Sequence, residues 1–154
     1  MGKEIERKFL ITGDEWRSLA NGVMYRQGYL STVKERTVRV RTVGDRGFLT
    51  IKGVTTGVTR AEFEYEIPVG EANEMLDGLC ERPLIEKSRF RIEYRGLVWE
   101  VDEFRGENQG LVIAEVEIAH EGQRIELPSW VGEEVSGDPR YFNSNLTKNP
   151  FTRW

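Results

Sequence analysis

One cysteine and one histidine stand in 154 residues, and their scarcity removes several classes of chemistry. Cys80 has no partner for an internal disulfide. Set among apolar helix positions, it reads as a small core residue rather than a reactive thiol. His120 follows the last predicted strand and reads as a surface residue, so a Ser-His-Asp triad finds no support. Zinc likewise lacks the His and Cys ligands it prefers. No apolar run approaches the roughly 20 residues that cross a bilayer. The opening residues MGKEIERKFL alternate charged and apolar side chains, unlike the h-region of a secretory signal. Gly2 is followed by Glu6 rather than Ser or Thr at position 6, which removes the myristoylation pattern. Neither GxxxxGK[ST] nor GxGxxG occurs, so phosphate binding could not rest on a glycine cradle. These absences point to a cytoplasmic protein of one domain, residues 1–154, whose length supports a core without disulfides or structural metal.

What is present is charge. Asp, Glu, Lys and Arg make up 31% of the chain, and the mean hydropathy is -0.52. The net charge of -4 argues against a nucleic-acid-coating protein. Period-2 alternation predicts eight strands, near Lys3–Ile11, Val23–Thr32, Arg36–Val43, Arg46–Gly53, Arg60–Val69, Leu84–Tyr94, Leu97–Phe104 and Leu111–Ala119. Val43-Gly44-Asp45-Arg46-Gly47 and Tyr94-Arg95-Gly96 read as tight turns, which favour antiparallel neighbours. Helical signals are fewer. Thr12-Gly13-Asp14-Glu15 can form a capping box ahead of Trp16–Ala20, stopped by Asn21-Gly22. Ala72, Met75, Leu76 and Leu79 fall on one helical face. Asp138-Pro139 starts a predicted C-terminal helix running to about Lys148, ended by Asn149-Pro150. The fold class expected is α+β, a closed eight-stranded antiparallel β-barrel with a few covering helices.

Residues i and i+2 of a strand share a face. Glu4, Glu6 and Lys8 therefore lie together, opposite Ile5 and Phe9. The same split gives Arg39 with Arg41, Thr50 with Lys52, and Glu62 with Glu64 and Glu66. Lys87, Arg89 and Arg91 form another row, as do Glu100 with Asp102 and Glu115 with Glu117. Any one of these strands fits an ordinary solvated face over an apolar core. Seven together fit it poorly, because like charges on neighbouring positions repel and a solvated face usually mixes signs. If helices cover the apolar faces from outside, the charged faces line a lumen. Such an interior needs cations for its carboxylates and an anion for its Lys and Arg groups. A polyanion bridged by a divalent metal meets both needs. Hard carboxylate oxygens suit Mg²⁺ or Mn²⁺, and Arg offers phosphate a bidentate fork.

Glu4-x-Glu6-x-Lys8, in the form EIERKFL, resembles the hallmark of the CYTH superfamily, the triphosphate tunnel metalloenzymes, in its short bacterial inorganic triphosphatase type. RQGYL (26–30), VRVR (38–41), TIKG (50–53), RAEFEYEI (60–67), EKSRFR (86–91), WEVDEF (99–104) and AEVEI (114–118) follow in the family's order. The segment 130–146 resembles the C-terminal part of its short bacterial members. The resemblance implies a tunnel that holds a triphosphate. Glu4, Glu6, Glu115 and Glu117 resemble the main metal cluster. Asp102, Glu62 and Glu64 match positions for a second metal or for orienting the attacking water. Lys8, Arg39, Arg41, Lys52, Lys87 and Arg89 match the phosphate-binding positions, with Arg140 as a further basic residue near the C-terminus. Tyr29 matches a tyrosine that accepts a proton or, as a wall residue, hydrogen-bonds a phosphate. Tyr29, Glu64 and Lys52 are the residues expected at the reacting phosphorus.

The activity so implied is hydrolysis of inorganic tripolyphosphate, and of nucleoside triphosphates as further substrates, with Mg²⁺ or Mn²⁺ as cofactor. The partner is a small-molecule triphosphate, not nucleic acid or a membrane, and the chain is a monomer or homodimer. Within the family, a class IV adenylyl cyclase would need an adenine pocket. A thiamine triphosphatase would need an aromatic clamp, for which Trp16 and Tyr25 are the guesses. A non-catalytic polyphosphate or nucleotide sensor would have no use for a metal cluster. Arg7 lies on the face opposite Glu4, Glu6 and Lys8 and drops out of the site. Arg7→Ala is accordingly expected to leave triphosphate turnover within about twofold of the unmodified chain in a phosphate-release assay.

Overall fold

Alternation of charged and apolar residues builds eight long strands, and their termini fall within two residues of those predicted. The computed structural model describes residues 2–154, with side chains from Glu4 onward; Met1 lies outside the described residues. The strands are β1 (Gly2–Ile11), β2 (Val23–Ser31), β3 (Thr37–Val43), β4 (Arg46–Lys52), β5 (Thr59–Ile67), β6 (Ile85–Tyr94), β7 (Leu97–Phe104) and β8 (Val112–Glu117). All neighbours pair antiparallel in the order β5-β4-β3-β2-β6-β7-β8-β1, and a further β1–β5 pairing closes the barrel. Closure depends on the length of β1. Its first residues pair with β5, Glu4 opposite Arg60, and its later ones with β8, Lys8 opposite Glu115. A ninth strand, β9 (Val131–Glu134), pairs with the far end of β1. The sequence reading missed it, because Val131-Gly132-Glu133-Glu134 is too short to display a period.

Two of the three apolar cores lie outside the barrel wall. Phe9, Trp99, Val101, Ala114 and Val116 face outward and pack beneath Trp16 and Trp130. Val40 is covered by Ala72 and Leu76 of α1 (Val69–Gly78), the helix expected there, with Cys80 buried in the same cluster. Gly28 shows how close this cover sits, since a Cβ there would lie 2.7 Å from Leu84 and 2.8 Å from Cys80. A third cluster sits at one end of the barrel. Ile85, Phe104 and Ile113 continue the inward rows of their strands and meet Tyr141 and Leu146 of the C-terminal segment, which closes that end.

Two helices differ from expectation. Around Trp16 the chain makes only a 3-10 turn, Glu15–Ser18, and Asp14 gives no side-chain cap. Asp14 instead accepts from Arg17, and the Trp16 indole donates to the Gly13 carbonyl, which turns the ring into the outer core. The C-terminal helix breaks in two. Asp138 caps a 3-10 turn, Pro139–Tyr141, and α2 (Asn143–Lys148) follows after an extended Phe142. The break turns Phe142 toward the cavity, where Lys8 Nζ lies 5.6 Å from its ring. His120 is exposed, as expected. Among the described residues no helix is long and apolar enough to cross a membrane.

Candidate functional site

The inward rows enclose a cavity of about 260 Å³ lined by seven carboxylates and six Lys or Arg side chains. The carboxylates come as pairs two residues apart from β1, β5 and β8, with Glu100 alone from β7. Glu4 and Glu6 belong to β1, Glu115 and Glu117 to β8, and the register sets Glu6 opposite Glu117. Glu6 and Glu115 lie close enough for each carboxyl to act on the ionisation of the other. Burial, then repulsion from Glu115 and Glu4, pushes the Glu6 carboxyl well above the ordinary range. Burial likewise opposes ionisation of Glu115, but Lys8, Arg89 and Lys87 outweigh it and hold that group far below the ordinary range. Glu117 lies nearer the mouth and is raised by burial, then by Glu4, Glu62 and Glu100.

The basic side chains come chiefly from β3, β4 and β6. Arg39 and Arg41 each lie 3.6 Å from Glu64, whose carboxylate also accepts 2.6 Å from the Thr50 hydroxyl. Burial works to raise Glu64, but Thr50, Arg41 and Arg39 together hold it below the usual carboxylate range. Lys52 bonds Glu4 at 2.9 Å and lies 3.6 Å from Glu62. Lys8 donates to the Tyr141 carbonyl at 3.0 Å, so the C-terminal segment helps to aim it. The Nε donors of Arg39, Arg41 and Arg60 are buried without an acceptor among the described residues. Leaving a buried donor unpaired is costly, and phosphate oxygens would supply what these lack. Burial, followed by repulsion from Arg39, lowers Arg41 to about 10.

Tyr29 is 4% exposed and lines the cavity. Burial raises its phenol above the ordinary value despite Arg39, Lys8 and Arg60 nearby, so near neutrality it is a proton donor. Twelve of the expected site residues share this cavity; Asp102, Lys87 and Arg140 do not line it. Asp102 sits beneath the lining at 2% exposure. Its oxygens accept from Arg89 Nε at 2.7 Å and Nη2 at 2.8 Å, and Lys87 Nζ lies 2.8 Å away. With both oxygens so occupied, Asp102 anchors Arg89 from beneath the cavity and does not line it. Lys87 belongs to the same buried ion cluster. Arg140 is outside altogether: its guanidinium pairs with Asp138 at 2.8 Å and lies over Trp154. Trp16 is part of the outer core and forms no clamp.

Sequence reasoning missed Arg60, although it shares the β5 face with Glu62 and Glu64 and the period-2 rule alone would have found it. Glu100 was placed on the right face but not assigned to the site; it lies 3.3 Å from Arg89. The C-terminal contributions, Ser136 and Phe142 to Ser144, carry no charge signal and depend on the broken helix.

The acidic pairs that β1 and β8 bring side by side suit a hard divalent cation. Among the described residues no group of three acids forms a ready-made cage. Mg²⁺ binds one or two carboxylates and completes its shell with water and substrate phosphate. The lining charge makes the same point. With seven acids against six bases, a polyanion cannot be neutralised by the side chains alone and needs an accompanying cation.

Comparison with known proteins gives concordant results. A family model described as the CYTH domain matches residues 2–146. The inorganic triphosphatase of Acetivibrio thermocellus is 60% identical over 151 residues, covering 98% of this chain and 97% of that protein. That of Nitrosomonas europaea is 38% identical over 147 residues, covering 93% and 95%. A solved structure of an inorganic triphosphatase superposes with a TM-score of 0.67 at 32% identity, covering 93% of this chain and 96% of that chain.

The anchoring of Arg89 and Lys87 is open to a direct test. Asp102→Asn leaves buried Lys87 without its paired carboxylate and removes the nearest one from Arg89, and is expected to destabilise the fold by roughly 3–5 kcal/mol in urea titration. Glu126→Gln, which removes an exposed ion pair with Arg95, is expected to change stability by less than about 1 kcal/mol.

Proposed function

The chain belongs to the CYTH domain family, and on that premise we propose that it hydrolyses inorganic tripolyphosphate to pyrophosphate and phosphate with the help of a divalent cation. The observation that carries this reading is the lining of the cavity. Orphaned guanidinium donors call for an anion with many oxygens, and the near-balanced charge calls for that anion to arrive with a cation. The family implies a divalent metal, and two relatives are named inorganic triphosphatase. Glu4, Glu6, Glu115 and Glu117 would hold Mg²⁺ or Mn²⁺, with Glu62 at the mouth as a further ligand. The bound cation would supply charge neutralisation at the phosphate oxygens and a lower pKa for a coordinated water.

The chain's own groups do the rest. Arg39, Arg41, Arg60, Lys8 and Arg89 grip the phosphates, and Lys52 is set between the carboxylates and the basic rows to follow charge developing on the bridging oxygen. Water adds to the terminal phosphorus as its bond to the bridging oxygen breaks, and phosphoryl transfer of this loose kind is governed by positioning and charge. Glu64, ionised and held by Thr50, orients Arg39 and Arg41. Tyr29 keeps its proton and donates a hydrogen bond to a phosphate oxygen, so the wall role is favoured over proton acceptance. A reducing cytoplasm fits the free thiol of Cys80, and the whole of residues 1–154 acts as one domain.

Phosphate release from tripolyphosphate tests the reading. Excess EDTA is expected to abolish release. Glu115→Gln is expected to lower kcat at least about 100-fold with an unchanged circular dichroism spectrum. Full activity in either case overturns the proposal. Tyr29→Phe is expected to cost about tenfold or less and to leave the shape of the rate profile unchanged between about pH 6 and 9, because its phenol does not titrate there. Loss of a limb of that profile would make Tyr29 the proton acceptor instead.

A further inference from the structure

Across four neighbouring strands, cations and rings alternate. Arg89 of β6 lies 4.9 Å from the Tyr25 ring of β2, and Arg41 of β3 lies 5.2 Å from the same ring. Arg41 also lies 5.6 Å from Phe48 of β4, its direct cross-strand partner. Tyr25 thus stands between two guanidiniums that line the cavity, while Tyr25 itself does not line it. The order of the strands, β4-β3-β2-β6, makes this stacking possible, since long side chains on diagonal positions of adjacent strands reach one another.

Two like-charged groups on either side of one strand repel, and a ring between them offers each a negative face. The Arg89 fork has a second hold, its paired bonds to Asp102. Arg41 has only the more distant Glu64 at 3.6 Å and an Nε without an acceptor, so the two rings are its main mechanical support.

We propose that Tyr25 is a positioning residue for substrate binding, whose ring spaces Arg41 from Arg89 and holds both forks toward the phosphates. The inference rests on the triphosphatase reading above. It requires the ring and not the hydroxyl, which forms no hydrogen bond among the described residues. Without the ring, Arg41 can swing onto Glu64 and must be recovered from that pairing each time substrate binds.

The test compares Tyr25→Phe with Tyr25→Leu in steady-state hydrolysis of tripolyphosphate with Mg²⁺, and in calorimetric binding of a non-hydrolysable imido analogue of tripolyphosphate with Mg²⁺ present. The Phe variant is expected to stay within about twofold in both. The Leu variant is expected to raise KM and Kd about tenfold while kcat falls less than about threefold. Should the Leu variant fail to fold, Tyr25→Met makes the same comparison. In an Arg41→Met background the Leu substitution is expected to change KM by no more than about threefold, since Arg41 has gone and Arg89 keeps its paired bonds to Asp102. An unchanged KM for the Leu variant, equal losses for Phe and Leu, or a full tenfold effect in the Arg41→Met background would each overturn the role of Tyr25. Lack of turnover by the unmodified chain would instead overturn the triphosphatase reading, and the binding arm would still decide the role of Tyr25.

Discussion

A closed barrel with charged rows on seven of its eight strands holds together because acid on one strand meets base on a nearby one. The buried cluster of Asp102, Lys87 and Arg89 is the tightest instance, with three contacts of 2.7 to 2.8 Å on one carboxylate. Taking such ions out of water is expensive, and only close geometry offsets it. Pairing continues upward through Lys8 with Glu115, Lys52 with Glu4, and Arg39 and Arg41 with Glu64. It is incomplete where Glu6 faces Glu115 and where three arginine Nε donors have no acceptor among the described residues. These unmet demands are where an anion and a cation would bind together.

A charged interior forces the apolar residues elsewhere, and the fold answers by placing two of its three cores on the outside of the wall. Trp16, Trp130 and α1 exist to cover that outer surface. The C-terminal segment has a different duty, closing one end of the barrel with Tyr141 and Leu146. It also reaches the cavity through the Tyr141 carbonyl, which takes a hydrogen bond from Lys8. Stability and site geometry are therefore coupled at that end through a single lysine.

Within the cavity the carboxylates divide by surroundings rather than by residue type. Glu115 is kept ionised by three cations, Glu6 is pressed toward protonation by burial and by two neighbouring acids, and Glu64 serves as a counter-ion to arginines. One row of glutamates read off a strand could not reveal this division. It comes from which neighbour the barrel brings across the lumen.

Much was legible in the chain alone. Period-2 alternation placed eight strands, the single-signed rows identified the lining, and the opposite face of β1 excluded Arg7, which pairs with Glu134 outside. Arg60 was legible too and was passed over. Other features were not visible. Asp102 shares its row with Glu100 and looks equivalent to it, yet one is an anchor below the lining and the other lines the cavity. Arg140 looks like one more cation near the C-terminus, yet it pairs with its neighbour Asp138. The break at Phe142 and the strand β9 depend on packing against β1 and Lys8. The sequence by itself determined which residues share a strand face, because alternation is a property of the extended backbone. Which faces turn inward, and which charges then meet, only the closed barrel decided, since those contacts join residues far apart along the chain.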